Sequence, residues 1–162
     1  MARIVLTDAS PLIALARVDG LNWLRRLFGT VLMPPQVRNE VLSNRGLAGE
    51  EPIAQALGSG WLAVAQPVPA LPELPDLDEG ESACIRLALA HGEPALLLID
   101  ERAGRAVAAE FGIRVAGTAA VVGMAKTHGL IPSARDVFSR MHASDFRISA
   151  QVINTILQRV GE

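Results

Sequence analysis

The sequence predicts an α/β protein built on a parallel sheet, and three observations predict it. β-type runs alternate with helical segments along the whole chain. One run, Ala95-Leu96-Leu97-Leu98-Ile99, is apolar without a break, as expected of a central parallel strand buried on both faces. The apolar half of the composition is mostly Ala, Leu and Val, with 4% aromatic residues and no Tyr, which suits helices packed on a buried sheet. Such alternation implies right-handed crossovers. The 162 residues suffice for one domain with a proper core, and roughly four to five strands fit that length.

The elements follow in order. Ile4-Val5-Leu6-Thr7 is a short strand that ends at Asp8. Ser10-Pro11 predicts a helix start, with Ser as N-cap and Pro at the first helical position, and Leu12 to Arg17 continues it. Leu21 to Phe28 reads as a second short helix and Thr30 to Met33 as a strand. Pro34-Pro35 opens a helix through Leu42, where Val37, Val41 and Leu42 keep helical spacing around Glu40. Glu51 to Leu57 reads as a helix closed by Gly58 and Gly60, and Trp61 to Ala65 alternates like a strand. Gln66 to Leu77 carries four prolines and reads as a loop. It is no domain boundary, because the segments on either side are too small to fold alone. Asp78 to Ala90 is a helix with acids at its start, closed by His91-Gly92. After the central strand come a helix over Arg102 to Phe111, a strand over Ile113 to Ala116 and a helix over Thr118 to His128. Helices near Ser133 to Met141 and Ser149 to Val160 finish the chain.

Composition excludes several function classes. Half of the chain is apolar and the net charge is −2, which excludes disorder. Cys84 is the only cysteine, so there is no disulfide scaffold. With 15 basic and 17 acidic residues the chain is no basic-tail nucleic-acid binder. The most apolar stretch, Val115 to Ala125, is too short for a membrane span and is broken by Gly117 and Gly123. The run after Met1-Ala2-Arg3 stops at Asp8, too early for a signal-peptide core, so a cytoplasmic protein is expected. The near-neutral total hides a partition. Residues 40 to 81 hold eight acids against Arg45 alone, and residues 102 to 162 hold eight bases against four acids.

Open parallel sheets place functional groups at the carboxyl ends of their strands. Asp8 ends the first strand and Asp100 ends the central one. Adjacent strands would open both carboxylates onto one crevice. Glu40 and Glu81 could reach it from their helices. Four converging carboxylates without bases repel, and the ordinary resolution is a hard divalent cation such as Mg²⁺, one or two of which suit phosphodiester cleavage. Each acid also has a plainer reading: Asp8 as a turn or cap, Glu40 as a solvated helix position, Glu81 as complement to the helix dipole, and Asp100-Glu101 as the start of the next helix. The joint pattern, in this chain order, is what favours a site.

These residues carry a resemblance. From Ile4 to about Leu130 the chain resembles the PIN-domain ribonucleases, which include the VapC-type toxins of prokaryotic toxin–antitoxin pairs. The matching pieces are residues 5–12 (Val-Leu-Thr-Asp-Ala-Ser-Pro-Leu), residues 33–41 around Glu40, and Asp78-Glu79-Gly80-Glu81-Ser82-Ala83. Residues 97–105 around Asp100, Gly117-Thr118 and residues 125–131 complete the set. The last pieces look most like a PIN-like subgroup rather than a typical VapC toxin. The resemblance implies a three-layer α/β/α sandwich, with a core over about residues 3–131 and a helical extension over about 132–162. It implies Asp8, Glu40, Glu81 and Asp100 as metal-binding and catalytic acids, with Mg²⁺ or Mn²⁺ as cofactor. Ser10 resembles the hydroxyl residue that supports the first aspartate by hydrogen bonding. Cleavage of single-stranded RNA, homodimers and inhibition by a small antitoxin are implied as well. The chain departs from the pattern at Ile99, where many members carry Thr or Ser. An acid common a few residues after the fourth is not evident, and Glu101 stands in for it in part.

Arg102 and Arg105 flank the expected site in the first turn of a helix, and guanidinium groups match phosphate geometry. They read either as RNA-backbone contacts or as ion-pair partners of Glu101, Glu110 or a neighbouring acid. Thr118 reads as an N-cap or as a group facing the crevice. Cys84 reads as a small core residue, and the scattered His91, His128 and His142 give no zinc site or triad. Two alternatives remain. One is a non-catalytic PIN-like module that binds RNA or protein. The other, a phosphotransfer domain, is weakened by Ala9 after Asp8, by Ser10 two residues on, and by Lys126 as the only lysine.

Overall fold

The structure is a computed structural model that describes residues 4–47, 49–92 and 94–162; the expected domain start at residue 3 lies outside them. β1 (Ile4–Thr7) runs directly into α1 (Ala9–Arg17). Then follow α2 (Leu21–Phe28), β2 (Val31–Met33), α3 (Pro35–Val41), α4 (Glu50–Ser59) and β3 (Leu62–Val64). The second half holds α5 (Glu79–His91), β4 (Ala95–Leu98), α6 (Arg102–Glu110), β5 (Arg114–Ala116), α7 (Thr118–Thr127), α8 (Ala134–Ala143) and α9 (Ala150–Arg159).

The five strands form one all-parallel sheet in the order β3-β2-β1-β4-β5. β1 is central, with Leu6 in register with Leu32 on one side and Leu97 on the other. The chain winds outward from β1 to β3, crosses back to β4 and winds outward again to β5. The strand order therefore reverses between β1 and β4, where open α/β sheets leave a crevice. α1, α2 and α7 contact one another, and α5 contacts α6, β1 and β4. Right-handed crossovers put these two sets on opposite faces, giving the three-layer α/β/α sandwich. Leu6, Leu97, Leu98 and Ile99 are fully buried between them.

Several boundaries differ from expectation. α1 starts at Ala9 with Asp8 at the N-cap position, so Ser10 lies inside the helix. Pro11 is tolerated one position further on because the first turn leaves its N–H groups unpaired anyway. β4 ends at Leu98, although the Ile99 N–H still extends the ladder to the Ala116 carbonyl at 2.9 Å. Gly58 lies within α4. Gly60, at φ 86°, ends the helix by adopting the left-handed conformation that glycine accepts without strain. The proline-rich loop is held to α5, where Arg86 Nε donates to the Pro72 carbonyl at 2.8 Å.

The C-terminal helices are fastened to the sandwich. Gly123 on α7 gives α9 its seat, since a Cβ there would stand 2.9 Å from Ile156 Cγ2. Arg140 Nη1 donates to the Val18 carbonyl and Arg17 Nη1 to that of Ser144, each at 3.1 Å. The Glu162 carboxylate accepts from Ser133 Oγ at 2.9 Å and from the Ala134 N–H at 2.6 Å, at the N-terminus of α8. Burial acts to raise the pKa of Glu162, but these hydrogen bonds outweigh it and hold the carboxyl below the ordinary glutamate range. That stabilisation is present above the ordinary value and fades on acidification through and below it. Glu162→Ala is expected to cost about 1 kcal/mol, as loss of a helix cap does. The effect is read as a lower urea midpoint at pH 7 whose gap to the parent closes at low pH.

Candidate active site

The crevice between β1 and β4 receives Asp8 and Asp100. The Asp8 N–H donates to the Leu98 carbonyl at 2.9 Å, which ties the end of β1 to the end of β4. Asp100 stands two residues further along. Asp8 is 7% exposed. The start of α5 presses against it. Asp78 caps that helix, its Oδ1 accepting from the Glu81 N–H at 2.8 Å. Gly80, between them, is closely approached: a Cβ would lie 3.1 Å from Asp8 Oδ1, which would have to give by a few tenths of an ångström, and 3.5 Å from Asp78 Oδ1. The local pattern Asp-x-x-Glu thus holds two carboxylates against a third.

The electrostatics follow from this crowding. Burial pushes the pKa of Asp8 from 3.8 up to about 6, with Asp78, Glu40 and Asp100 adding repulsion and the Ala9 N–H opposing it. Burial also raises Glu81, to about 7, together with the neighbouring Asp78 and Asp8 carboxylates. Glu40, exposed on α3, is raised by partial desolvation and by Asp78. Glu81 Oε2 is buried and has no hydrogen-bond partner. An unpaired buried carboxylate oxygen is costly, and here it lies among acids that already repel it. Cys84 behaves as core: its thiol, raised by burial and then by the acids, contacts the Thr7 carbonyl at 3.5 Å.

Asp100 is held differently. Its Oδ1 accepts from the Thr118 N–H and its Oδ2 from Thr118 Oγ1, both at 2.7 Å. Thr118 is fully buried at the first position of α7, after Gly117 as N-cap. It is therefore not the helix cap; it faces the crevice. Ile99, where the resemblance leads one to expect a hydroxyl residue, is a core side chain. The hydroxyl next to the fourth acid comes instead from Thr118, eighteen residues later. Thr118→Val removes a buried hydrogen bond to a charged acceptor and is expected to cost about 2 kcal/mol. Thr118→Ser should recover most of it in the same urea titration, since it keeps both donors.

The supporting residues divide. Ser10 makes no hydrogen bond to Asp8 among the described residues. The Ala9 N–H beside the Asp8 carboxylate acts to lower its pKa, and Thr7 Oγ1 donates to the Asp8 carbonyl at 2.9 Å. Glu101 is the exposed N-cap residue of α6 and makes no capping bond with its side chain. Arg102 and Arg105 are exposed on the first turn of α6. Neither has an ion-pair partner among the described residues. Arg105 Nη1 would lie 3.3 Å from a Cβ on Gly117, with Asp100 Oδ1 at 3.0 Å. Asp78 is the member that the sequence reading missed, although its capping-box spacing to Glu81 was the available signal. Among the described residues, no three acids, imidazoles or thiols form a group that could hold a metal ion. A cavity of about 760 Å³ lies elsewhere, between α2, α7 and α9. Its lining is mainly apolar, with Leu27, Phe28, Leu96 and Met124, and it contains no acid.

An open parallel sheet with Asp8 and Asp100 at its switch point defines an α/β domain of the kind that binds ligands in that crevice. Residues 4–162 match the PIN domain, and the chain belongs to the PIN-domain family. The match includes the C-terminal helices. PIN domains are generally nucleases and generally use divalent metals. No curated relative matches the chain. No helix among the described residues is long and apolar enough to cross a membrane.

Proposed function

We propose that the protein is a Mg²⁺- or Mn²⁺-dependent endoribonuclease that cleaves single-stranded RNA. The observation that carries the reading is the buried, unpartnered Glu81 oxygen beside Asp8 and Asp78. The donor set is all carboxylate oxygen, the chemistry that a hard cation takes. Mg²⁺ keeps several waters and needs only one or two carboxylates, so it does not require a closed protein cage. Asp8 and Glu81 are the residues that would hold it, with Glu40, Asp78 and Asp100 at the rim. Bound there, a divalent cation supplies Lewis acidity toward a phosphodiester and a nucleophile at neutral pH.

The chain's own groups do the rest. Thr118 fixes Asp100 by two hydrogen bonds, so that carboxylate keeps one orientation. Gly80 and Gly104 leave the space in which Asp8 and Glu81 sit. Arg102 and Arg105, without ion-pair partners among the described residues, bind the RNA backbone beside Asp100. The toxin role in a type II toxin–antitoxin pair, with a small antitoxin, a homodimer and a cytoplasmic setting, rests on the resemblance of the motifs. So does the choice of RNA, single-stranded or structured, as substrate.

A second reading is a PIN-like module that binds RNA or protein without cleaving it. Ile99 in place of a hydroxyl residue favours it. One assay separates the two: purified protein on end-labelled single-stranded RNA with Mn²⁺, Mg²⁺ or chelator. Cleavage that needs the metal and falls at least ~100-fold in Asp8→Asn and Asp100→Ala supports the enzyme. No cleavage under any condition supports the binding module.

A further inference from the structure

We propose that the C-terminal helices contribute an RNA-backbone groove that leads away from Asp100, with Arg147 and Arg159 as its phosphate-binding residues. The inference rests on the reading of the site as one that handles RNA. A cleft of about 440 Å³ opens at Asp100, Arg105 and Gly117, and its far wall is the α8–α9 turn and one face of α9. Gln151, Thr155 and Arg159 lie on that face at intervals of four residues, so they line the cleft in a row. Arg147 comes from the turn. There Asp145, at φ 64°, ends α8 in the left-handed conformation. The Phe146 N–H donates back to the Met141 carbonyl at 3.0 Å, and the Ile148 N–H to His142 Nε2 at 3.4 Å. The turn is thus tied at both sides of Arg147, and it brings Phe146 into the cleft beside that residue.

Charge and shape point to one ligand chemistry. Arg105, Arg147 and Arg159 are exposed, and among the described residues none has an ion-pair or side-chain hydrogen-bond partner. Three unpaired guanidinium groups along one cleft make an electrostatic track for phosphates. Phe146 adds an aromatic face of the kind on which bases stack. Three of the eight bases of residues 102 to 162 thus stand along a path that begins at Asp100, where a strand bound in the crevice has to leave.

The test is binding, read apart from cleavage. The fluorescence anisotropy of a short labelled oligouridylate is titrated in chelator over a range of salt. Relative to wild type, Arg147→Gln/Arg159→Gln is expected to bind roughly tenfold more weakly, with a salt slope smaller by about 1.4, the value for two lost single-strand phosphate contacts. Arg147→Lys/Arg159→Lys should restore the slope, because it restores charge. An unchanged slope in the Gln variant overturns the groove. So does a weakened Gln variant that Lys does not restore, since that loss reports packing and not phosphate contact. A wild type that shows no RNA binding overturns it as well. If wild type binds with the arginine-dependent slope and never cleaves, the groove stands and the nuclease reading fails. If wild type cleaves and the Gln variant keeps its slope, the nuclease reading stands and the groove fails.

Discussion

Asp8→Asn is expected to make the protein more stable at neutral pH while abolishing cleavage. A free aspartate ionises near 3.8, whereas Asp8 in the fold does so at about 6. Between these values the folded chain holds a proton that the unfolded chain has released. Stability therefore falls as pH rises through that window and stays lower above it. The displacement amounts to about 3 kcal/mol at pH 7.5, as an order of magnitude. Asparagine keeps the shape and removes the buried charge, so a gain of about 1–3 kcal/mol is expected at pH 7.5 and close to none at pH 4. Urea unfolding at the two pH values checks it. A variant less stable than wild type at pH 7.5 would contradict the reading. Mn²⁺ should raise the midpoint of wild type and leave that of Asp8→Asn nearly unmoved, because only the ionised carboxylate binds it.

Gly104→Ala carries the second large effect, and its sign opposes helix propensity. Gly104 is buried in α6, where alanine would be the better helix former by about 1 kcal/mol. A Cβ at this position collides with Glu81 Oε2 and stands 2.6 Å from Ile99 Cδ1. Ile99 is fully buried, so its Cδ1 can yield only by repacking against the core around it. Overpacking of this kind costs about 1–3 kcal/mol. The carboxylate is the softer neighbour, so Glu81 is the group displaced. The expected result is net destabilisation in urea together with loss of metal-dependent cleavage. Stabilisation by the substitution would show that α6 and α5 are packed more loosely than described. A surface control at Gly58 on α4, where no atom lies within 4 Å of an added Cβ, should gain stability from the same change.

Much of this was legible in the sequence for reasons that are local. The unbroken apolar run at Ala95–Ile99 identified the inner strand, and the acids that end β1 and β4 marked the crevice once the two strands proved adjacent. Proline and glycine marked helix ends to within a residue or two. What was not legible depends on tertiary register. Thr118 reaches Asp100 because β5 lies beside β4, and no spacing rule links residues that far apart. Ser10 was expected to steady Asp8, but α1 begins at Ala9, which places Ser10 inside the helix. Asp78 stood only as one of the acids that open its helix, and it is the N-cap there; the packing of α5 against β1 is what also sets it beside Asp8. Arg147 and Arg159 carried no motif, and it is the turn after α8 that brings them to the cleft.

A divalent cation held by the carboxylates around Asp8 and Glu81 is detected in the electron paramagnetic resonance signal of free aqueous Mn²⁺, titrated with protein at neutral pH. Wild type is predicted to remove free Mn²⁺ with a definite stoichiometry, and Asp8→Asn and Glu81→Gln are predicted to leave most of it free. A wild-type protein that leaves the Mn²⁺ signal unchanged, or variants that bind as well as it does, would show that these carboxylates do not form the metal site.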